Sequence, residues 1–311
     1  MVVVMNLNGE PIVECVPNFS EGLNEETIRA IVCSMQVFGV SLLDWSMDAT
    51  HNRSVVTMAG APEAVAEAAI RGAGKAAELI DLTRQTGVHP RIGAADVIPF
   101  VPVRGYTLAQ CAMLARNAAM QIWRRYGVPV YLYEAAAARP DRVNLEDVRR
   151  GQFEGIREAV KKDAKSRPDV GGPDLHATAG ASAVGARSFL IAYNLYLDKG
   201  DVAAARAIAK EIRASNGGLA GVKAMGVLAN GRAQVSMNIT DFRRMPMDRV
   251  FQTAEKLAKQ QGVQIESAEL IGLIPEEAYT PDASWLRPIP EFDPAERVLE
   301  RKLENPRHWP L

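Results

Sequence analysis

Residues 12–35 read Ile12-Val13-Glu14-Cys15-Val16-Pro17-Asn18-Phe19-Ser20-Glu21-Gly22-Leu23-Asn24-Glu25-Glu26-Thr27-Ile28-Arg29-Ala30-Ile31-Val32-Cys33-Ser34-Met35, and the hydrophobic period changes once along them. Ile12 to Val16 alternates and is β-rich, which predicts a strand. Pro17 to Gly22 is a cluster of turn residues. Ile28, Ile31, Val32 and Met35 then fall on one face of a helix over 24–35. Further along, Val40–Asp44 and Ser54–Met58 read as strands, Pro62–Leu82 as a long Ala-rich helix with proline in its first turn, and Val97–Val103 as a fourth strand.

That order, βαββαβ, is the ferredoxin-like one, in which an antiparallel sheet carries both helices on one face. Thr107 to about Ser166 adds a helix (Leu108–Tyr126), a strand (Pro129–Tyr133) and a polar helix (Leu145–Lys162) that extend the first lobe. From Ser188 the order repeats, with strand Phe189–Leu195, helix Asp201–Ala214, strands Val222–Leu228 and Ala233–Ile239, helix Asp248–Gln261 and strand Gln264–Leu273. The expected class is α+β with two ferredoxin-like subdomains, over 1–187 and 188–275. A Pro-rich extension, 276–311, offers one short helix near Ala295–Lys302 and is expected to wrap a lobe or mediate self-association, a homodimer being the simplest assembly.

With 311 residues, 48% of them hydrophobic, the chain can bury two cores. Lys and Arg number 36 against 37 Asp and Glu, so no global field draws nucleic acid or an anionic membrane, and neither is expected as a partner. The apolar start Met1–Met5 is interrupted by Asn6, Asn8 and Glu10 before a signal peptide or membrane span is complete, which predicts a cytoplasmic protein. Cys15, Cys33 and Cys111 are far apart without C-x-x-C spacing, arguing against a disulfide framework and a thiolate metal site.

Three segments concentrate chemistry. Thr86-Gly87-Val88-His89-Pro90-Arg91-Ile92-Gly93-Ala94-Ala95-Asp96 places His, Arg and Asp in a Gly- and Pro-shaped loop. His89 can accept and return a proton near neutrality, Arg91 can clamp a carboxylate, and Asp96 can orient the imidazole or cap the loop backbone. A histidine that merely ties the loop to the body fits the residues equally well. Asp44 to Ser54 gathers Asp44, Asp48, His51 and Arg53 between two strands and reads either as a polar-substrate binding edge or as a solvated hairpin.

The Gly- and Ala-rich run Asp169–Arg187 lacks a nucleotide-phosphate pattern. Its small residues suit close backbone approach to a flat heteroaromatic ring, or a linker. His51, His89 and His176 lie on three loops without close ligand spacing, so no metal is expected.

Taken together, Val13-Glu14-Cys15-Val16-Pro17-Asn18-Phe19-Ser20-Glu21-Gly22, His51-Asn52-Arg53, Gly87 to Phe100, Pro129-Val130-Tyr131-Leu132-Tyr133 and Gly185-Ala186-Arg187 resemble the glutamate formimidoyltransferase (formiminotransferase) family, in collinear order from about residue 12 to 274. The resemblance implies transfer of the formimidoyl group from N-formimidoyl-L-glutamate to N5 of tetrahydrofolate, a step of histidine degradation and one-carbon metabolism, with the folate as co-substrate and no metal. It also implies two subdomains facing each other across a folate-holding cleft. His89 matches the family's catalytic histidine. The folate-binding segment falls on Gly171, Gly172, Pro173, Asp174, Leu175, His176, Ala177, Thr178, Ala179 and Gly180.

Arg53, Arg91, Asp44 and Asp48 are inferred to bind substrate. Where animal members carry an acidic residue two positions beyond the match to Asp44, this chain has Ser46, and Asp48 is the candidate for that role. The folate segment here is small and polar rather than aromatic, and the chain ends without the helical cyclodeaminase domain fused in animals. Two other functions remain open: glutamate formyltransferase on the same folate, and a catalytically silent folate-binding homologue.

Overall fold

A computed structural model describes residues 9–87, 89–229 and 231–310. The apolar start Met1–Met5 and Val88 of the histidine loop lie outside the described residues. The chain divides into two compact units, one of residues up to Arg187 together with those from Pro306 onward, the other Ser188–Asn305.

The first unit runs β1 (Ile12–Cys15), β2 (Asn18–Phe19), α1 (Glu25–Ser34), β3 (Val40–Asp48), β4 (Arg53–Gly60), α2 (Pro62–Leu79), β5 (Ala95–Arg104), α3 (Leu108–Tyr126), β6 (Val130–Glu134), α4 (Leu145–Val148), α5 (Gln152–Lys162) and β7 (Ser182–Ala186). Local chemistry explains the helix ends. The Asn24 side chain accepts from Thr27 N at α1, with Glu25 and Glu26 in the first turn. Thr107 and Gln110 form a reciprocal capping box at α3, which stops at Gly127 in the left-handed region.

β3 pairs β4, β4 pairs β1, and β1 pairs β5, all antiparallel. The fourth strand thus lies beside the first and the third beside the second. β7 and β6 then join β5 in parallel, so the sheet is mixed and not purely antiparallel as expected. The antiparallel part has α1 and α2 on one face: Ile28, Ile31 and Val65 pack with Val13, Leu42, Met58 and Phe100. Around the parallel strands both faces are covered. Val97, Tyr131, Tyr133 and Ala183 meet Val148, Ile156 and Val160 of α4 and α5 on the second face, as parallel strands require.

Four elements correct the sequence reading. The polar helix read over Leu145–Lys162 is two, α4 and α5, parted at Gly151 with a φ of 92°. Asn18–Phe19, read as turn, is the short strand β2, wedged between β4 and β5. The segment Asp44–Ser54, read as a connection, is mostly strand: β3 continues to Asp48, β4 starts at Arg53, and the turn between them includes Asn52 at a φ of 48°. The Gly- and Ala-rich run ends in β7. Its smallness is a packing demand, because a Cβ at Gly185 would sit 2.6 Å from the Tyr133 ring.

The second unit runs β8 (Ile191–Leu197), α6 (Val202–Ile212), β9 (Val222–Ala229), β10 (Arg232–Ile239), α7 (Met247–Gln260) and β11 (Ile265–Ile271), with sheet order β11-β8-β10-β9, all antiparallel. The order again places fourth beside first and third beside second. Residues 276–305 close this unit's core through α8 (Pro294–Arg297), α9 (Leu299–Glu304) and Trp285, which is buried edge-on to Tyr193 and accepts that hydroxyl on its carbonyl at 2.6 Å. The tail is thus mostly part of the second compact unit. Its last residues belong to the first unit, where Arg307 bonds to Leu42 O and pairs with Asp44. No described helix is long and apolar enough to cross a membrane.

Gly180 adopts a φ of 70°, and a Cβ there would meet Ile92 O at 2.1 Å. Gly180→Ala is expected to destabilise the protein by about 2–4 kcal/mol, through left-handed strain plus displacement of backbone that cannot yield. Denaturant unfolding of the two proteins measures it.

Candidate active site

The loop between α2 and β5 carries His89, and backbone bonds hold it at both ends. Leu82 N donates to Thr178 O, Ala94 N to Ala179 O, and Ala181 N to Ile92 O, each at 2.9 Å. Ser20 adds a bond from its N–H to Ala94 O and one from its hydroxyl to Gly93 O. Gly93 leaves no room for a side chain, since a Cβ would lie 2.2 Å from Ala181 O. The carboxyl end of the Gly171–Gly180 segment is thereby stitched to the histidine loop.

Asp96 stands beneath this loop and is wholly buried. Its Oδ1 accepts Ile92 N at 2.8 Å, while its Oδ2 accepts Arg53 at 2.9 Å and Arg149 at 2.5 Å. Burial opposes the charge, but the two guanidiniums and the amide outweigh it and hold the carboxyl below its ordinary range. One carboxylate faces two cations, so the cluster keeps a surplus of one positive charge. Arg53 is oriented further by Asn18 Oδ1 at 3.0 Å.

His89 lies against this surplus. Burial first, then Arg53 and Arg149, push its pKa down to about 3, with Asp96 opposing and His51 adding to the fall. The imidazole is therefore neutral at physiological pH. Its Nε2 is buried without a hydrogen-bond partner. The same pocket is lined by Ser20, His51, Asn52, Arg53, Gln85, Thr86, Gly87 and Arg91. Both amide atoms of Gln85 are likewise buried and unpartnered. Buried polar groups are rarely left unmatched, and several facing one opening mark a place where a ligand supplies the partners.

The other candidates distribute unevenly. Arg53 and Arg91 reach the pocket, but Arg91 is already engaged: its guanidinium donates to Glu154 at 2.9 Å, to Gln85 O at 2.7 Å and to Leu82 O at 3.3 Å. It anchors the loop and is not a free carboxylate clamp. Asp96 caps the loop backbone and pairs arginines, and orients no imidazole. Asp44 is drawn into an ion pair with Arg307 at 2.8 Å. Asp48 sits one step behind the pocket, its Oδ2 2.7 Å from His51 Nδ1 and its Oδ1 accepting His51 N.

In the Gly171–Gly180 segment, His176 Nδ1 accepts Ala179 N at 3.0 Å, and His176 and Gly180 exchange both backbone bonds. That makes His176 a turn-former, and among the described residues no group of three or more His, Cys, Asp or Glu side chains is placed to hold a metal. Gly171, at a φ of 79°, lies on Trp123, where a Cβ would be 2.5 Å from the indole.

Two contributors escape a reading of the sequence. Arg149 lies 53 positions from Asp96, in a polar stretch that reads as solvated surface. Gln85 lies next to the motif but has no pattern of its own. Asn52 stands out in His51-Asn52-Arg53, but only the fold reveals what it does. Its side chain accepts Gly22 N and donates to Thr86 O, both at 2.8 Å, fastening the β3–β4 turn to the histidine loop.

Two measurements test this electrostatic frame. Asp96→Asn removes the charge that balances Arg53 and Arg149 and is expected to cost about 3–5 kcal/mol in denaturant unfolding. His89 takes a proton near 6.5 when unfolded but only near 3 when folded, so between those values the unfolded chain binds more protons. Its contribution is complete above pH 6.5 and is lost as the pH falls toward 3. Melting temperatures at pH 7 and pH 5 should thus fall more steeply in the wild type than in His89→Gln.

The family model described as the formiminotransferase domain, N-terminal subdomain, matches residues 12–187, and that of the formiminotransferase domain matches residues 192–288. A glutamate formimidoyltransferase of Streptococcus pyogenes is 43% identical over 295 residues, covering 94% of this chain and 98% of that protein. One from Thermoplasma acidophilum is 41% identical over 299 residues, with the same two coverages of 94% and 98%. The formimidoyltransferase-cyclodeaminase of Mus musculus is 36% identical over 322 residues, covering 93% of this chain but 59% of its own length. The chain belongs to the formiminotransferase family.

Proposed function

We propose that the protein is a glutamate formimidoyltransferase, moving the formimidoyl group of N-formimidoyl-L-glutamate to N5 of tetrahydrofolate in histidine degradation. The observation that carries this reading is the neutral His89, its Nε2 buried and unpartnered, against the positive surplus of Arg53 and Arg149. Relatives of that name at 41–43% identity over nearly the whole chain support it.

The parts divide the work as follows. The net positive charge beside the pocket attracts a carboxylate of the glutamate donor. His89 accepts the proton released as N5 bonds to the amidine carbon, and the glutamate nitrogen gains a proton as its bond to that carbon breaks. An aryl-linked nitrogen becomes strongly acidic once it attacks, so a weakly basic imidazole suffices. Stitching of the loop to Thr178–Ala181 supplies much of the remaining catalysis by holding the base in place. Gly171–Gly180 is the folate-binding segment, supported by its bonds to both ends of the histidine loop.

The ferredoxin-like description of both units belongs to the same proposal, supported by the strand order that they share. So do boundaries at 1–187, 188–275 and 276–311, the first supported by the break between the compact units at Arg187.

With donor and tetrahydrofolate supplied, wild type is expected to form the N5-substituted folate, and His89→Ala to lose about 10²–10⁴-fold in kcat while still binding folate. N-formyl-L-glutamate run alongside is expected to be the poorer donor. Turnover of the formyl compound alone would reassign the enzyme to formyl transfer, and folate binding without turnover of either would make it a binding protein.

A further inference from the structure

The pocket holds a second imidazole that the mechanism above does not use. His51 sits at the β3–β4 turn with its ring centre 6.1 Å from that of His89 and the planes 72° apart. Its Nδ1 is 2.7 Å from Asp48 Oδ2, and its backbone N–H donates to Asp48 Oδ1 at 3.0 Å. Burial resists ionisation of Asp48, but the two bonds from His51 outweigh it and hold the carboxyl below its ordinary value. Asp48 is therefore an anion wherever the enzyme works. Facing a carboxylate, Nδ1 is the donor, which leaves Nε2 as the end that exchanges protons. The Asn52 bonds to Gly22 and Thr86 fix this turn against the histidine loop, so the two rings keep their spacing.

The two imidazoles are unlike. His89 has its Nε2 buried beside guanidiniums and is bonded to no carboxylate, whereas the His51 side chain is 44% exposed and carries one. A transfer between two nitrogens needs one proton removed and one delivered. We propose that the His51 imidazole, held by Asp48, is the second proton-transfer group of this site and delivers the proton to the departing glutamate nitrogen while His89 takes the one from N5. The inference rests on the transferase reading above.

In the step, the N5–C bond forms and its proton goes to His89. The C–N bond to glutamate breaks, and the electron pair left on that nitrogen takes the Nε2 proton of the His51 imidazolium, leaving a neutral ring with its Nδ1–H on Asp48. Solvent then reprotonates His51 across its exposed edge, and His89 returns its proton to solvent. Atoms and charge balance without a further reactant.

The test compares wild type, His51→Ala, His51→Gln and Asp48→Asn with N-formimidoyl-L-glutamate and tetrahydrofolate, with and without added imidazole. We expect His51→Ala to lower kcat by about 10²-fold with both KM values within about threefold. Added imidazole, entering the space left open to solvent, should restore at least about tenfold of that loss. His51→Gln, whose amide fills the space, should stay low and unrescued, and Asp48→Asn should lose about tenfold through misorientation.

Retention of kcat within about threefold in both His51 variants overturns the inference, as does a loss that imidazole leaves untouched, since a purely structural role would not respond to it. Should His51→Ala melt early, the His51→Gln and Asp48→Asn rates decide. A wild type without turnover overturns the transferase reading itself and this inference with it.

Discussion

The buried carboxylate of Asp96 is the interaction on which the first unit's site depends. A lone carboxylate at zero exposure would be too costly to keep ionised, and Arg53, Arg149 and the Ile92 amide together make it tolerable. These partners come from β4, from the end of α4 and from the histidine loop, so one ion cluster ties three separate elements. Because two cations answer one anion, the cluster is not neutral. Burial and, after it, this leftover charge suppress the imidazolium form of His89.

Close backbone packing is the second constraint. Glycines at 93 and 180 allow the histidine loop and the end of the 171–180 segment to bond directly, where any Cβ would strike a carbonyl. Asn52, in a left-handed conformation, does the same for the β3–β4 turn through its side chain. Three loops are in this way bonded to one another around the pocket.

The second unit repeats the strand order of the first without repeating this rim. Its sheet is purely antiparallel, its core is closed by Trp285 and the tail, and among its described residues no carboxylate is buried as Asp96 is. The same topology thus serves two purposes, and the site is set by what the loops carry.

The periodicities of Ile12–Val16, Ile28–Met35 and Pro62–Leu82, and their repeat after Ser188, were sufficient for the main helices, the main strands and the twofold βαββαβ order, because these signals depend only on neighbours along the chain. His89 and Arg53 could be named from the same local strings. β2 and β7 could not be read, since one lies in a turn-like sequence and the other lacks β-branched alternation; each is a strand because partners distant in sequence supply its hydrogen bonds. The roles of Arg91, Asp44, Arg149 and Gln85 were likewise beyond the sequence. A charged or amide side chain is the same letter whether it meets a ligand, a buried carboxylate or the chain's own tail, and only the folded structure brings Glu154 to Arg91, Arg307 to Asp44 and Asp96 to Arg149.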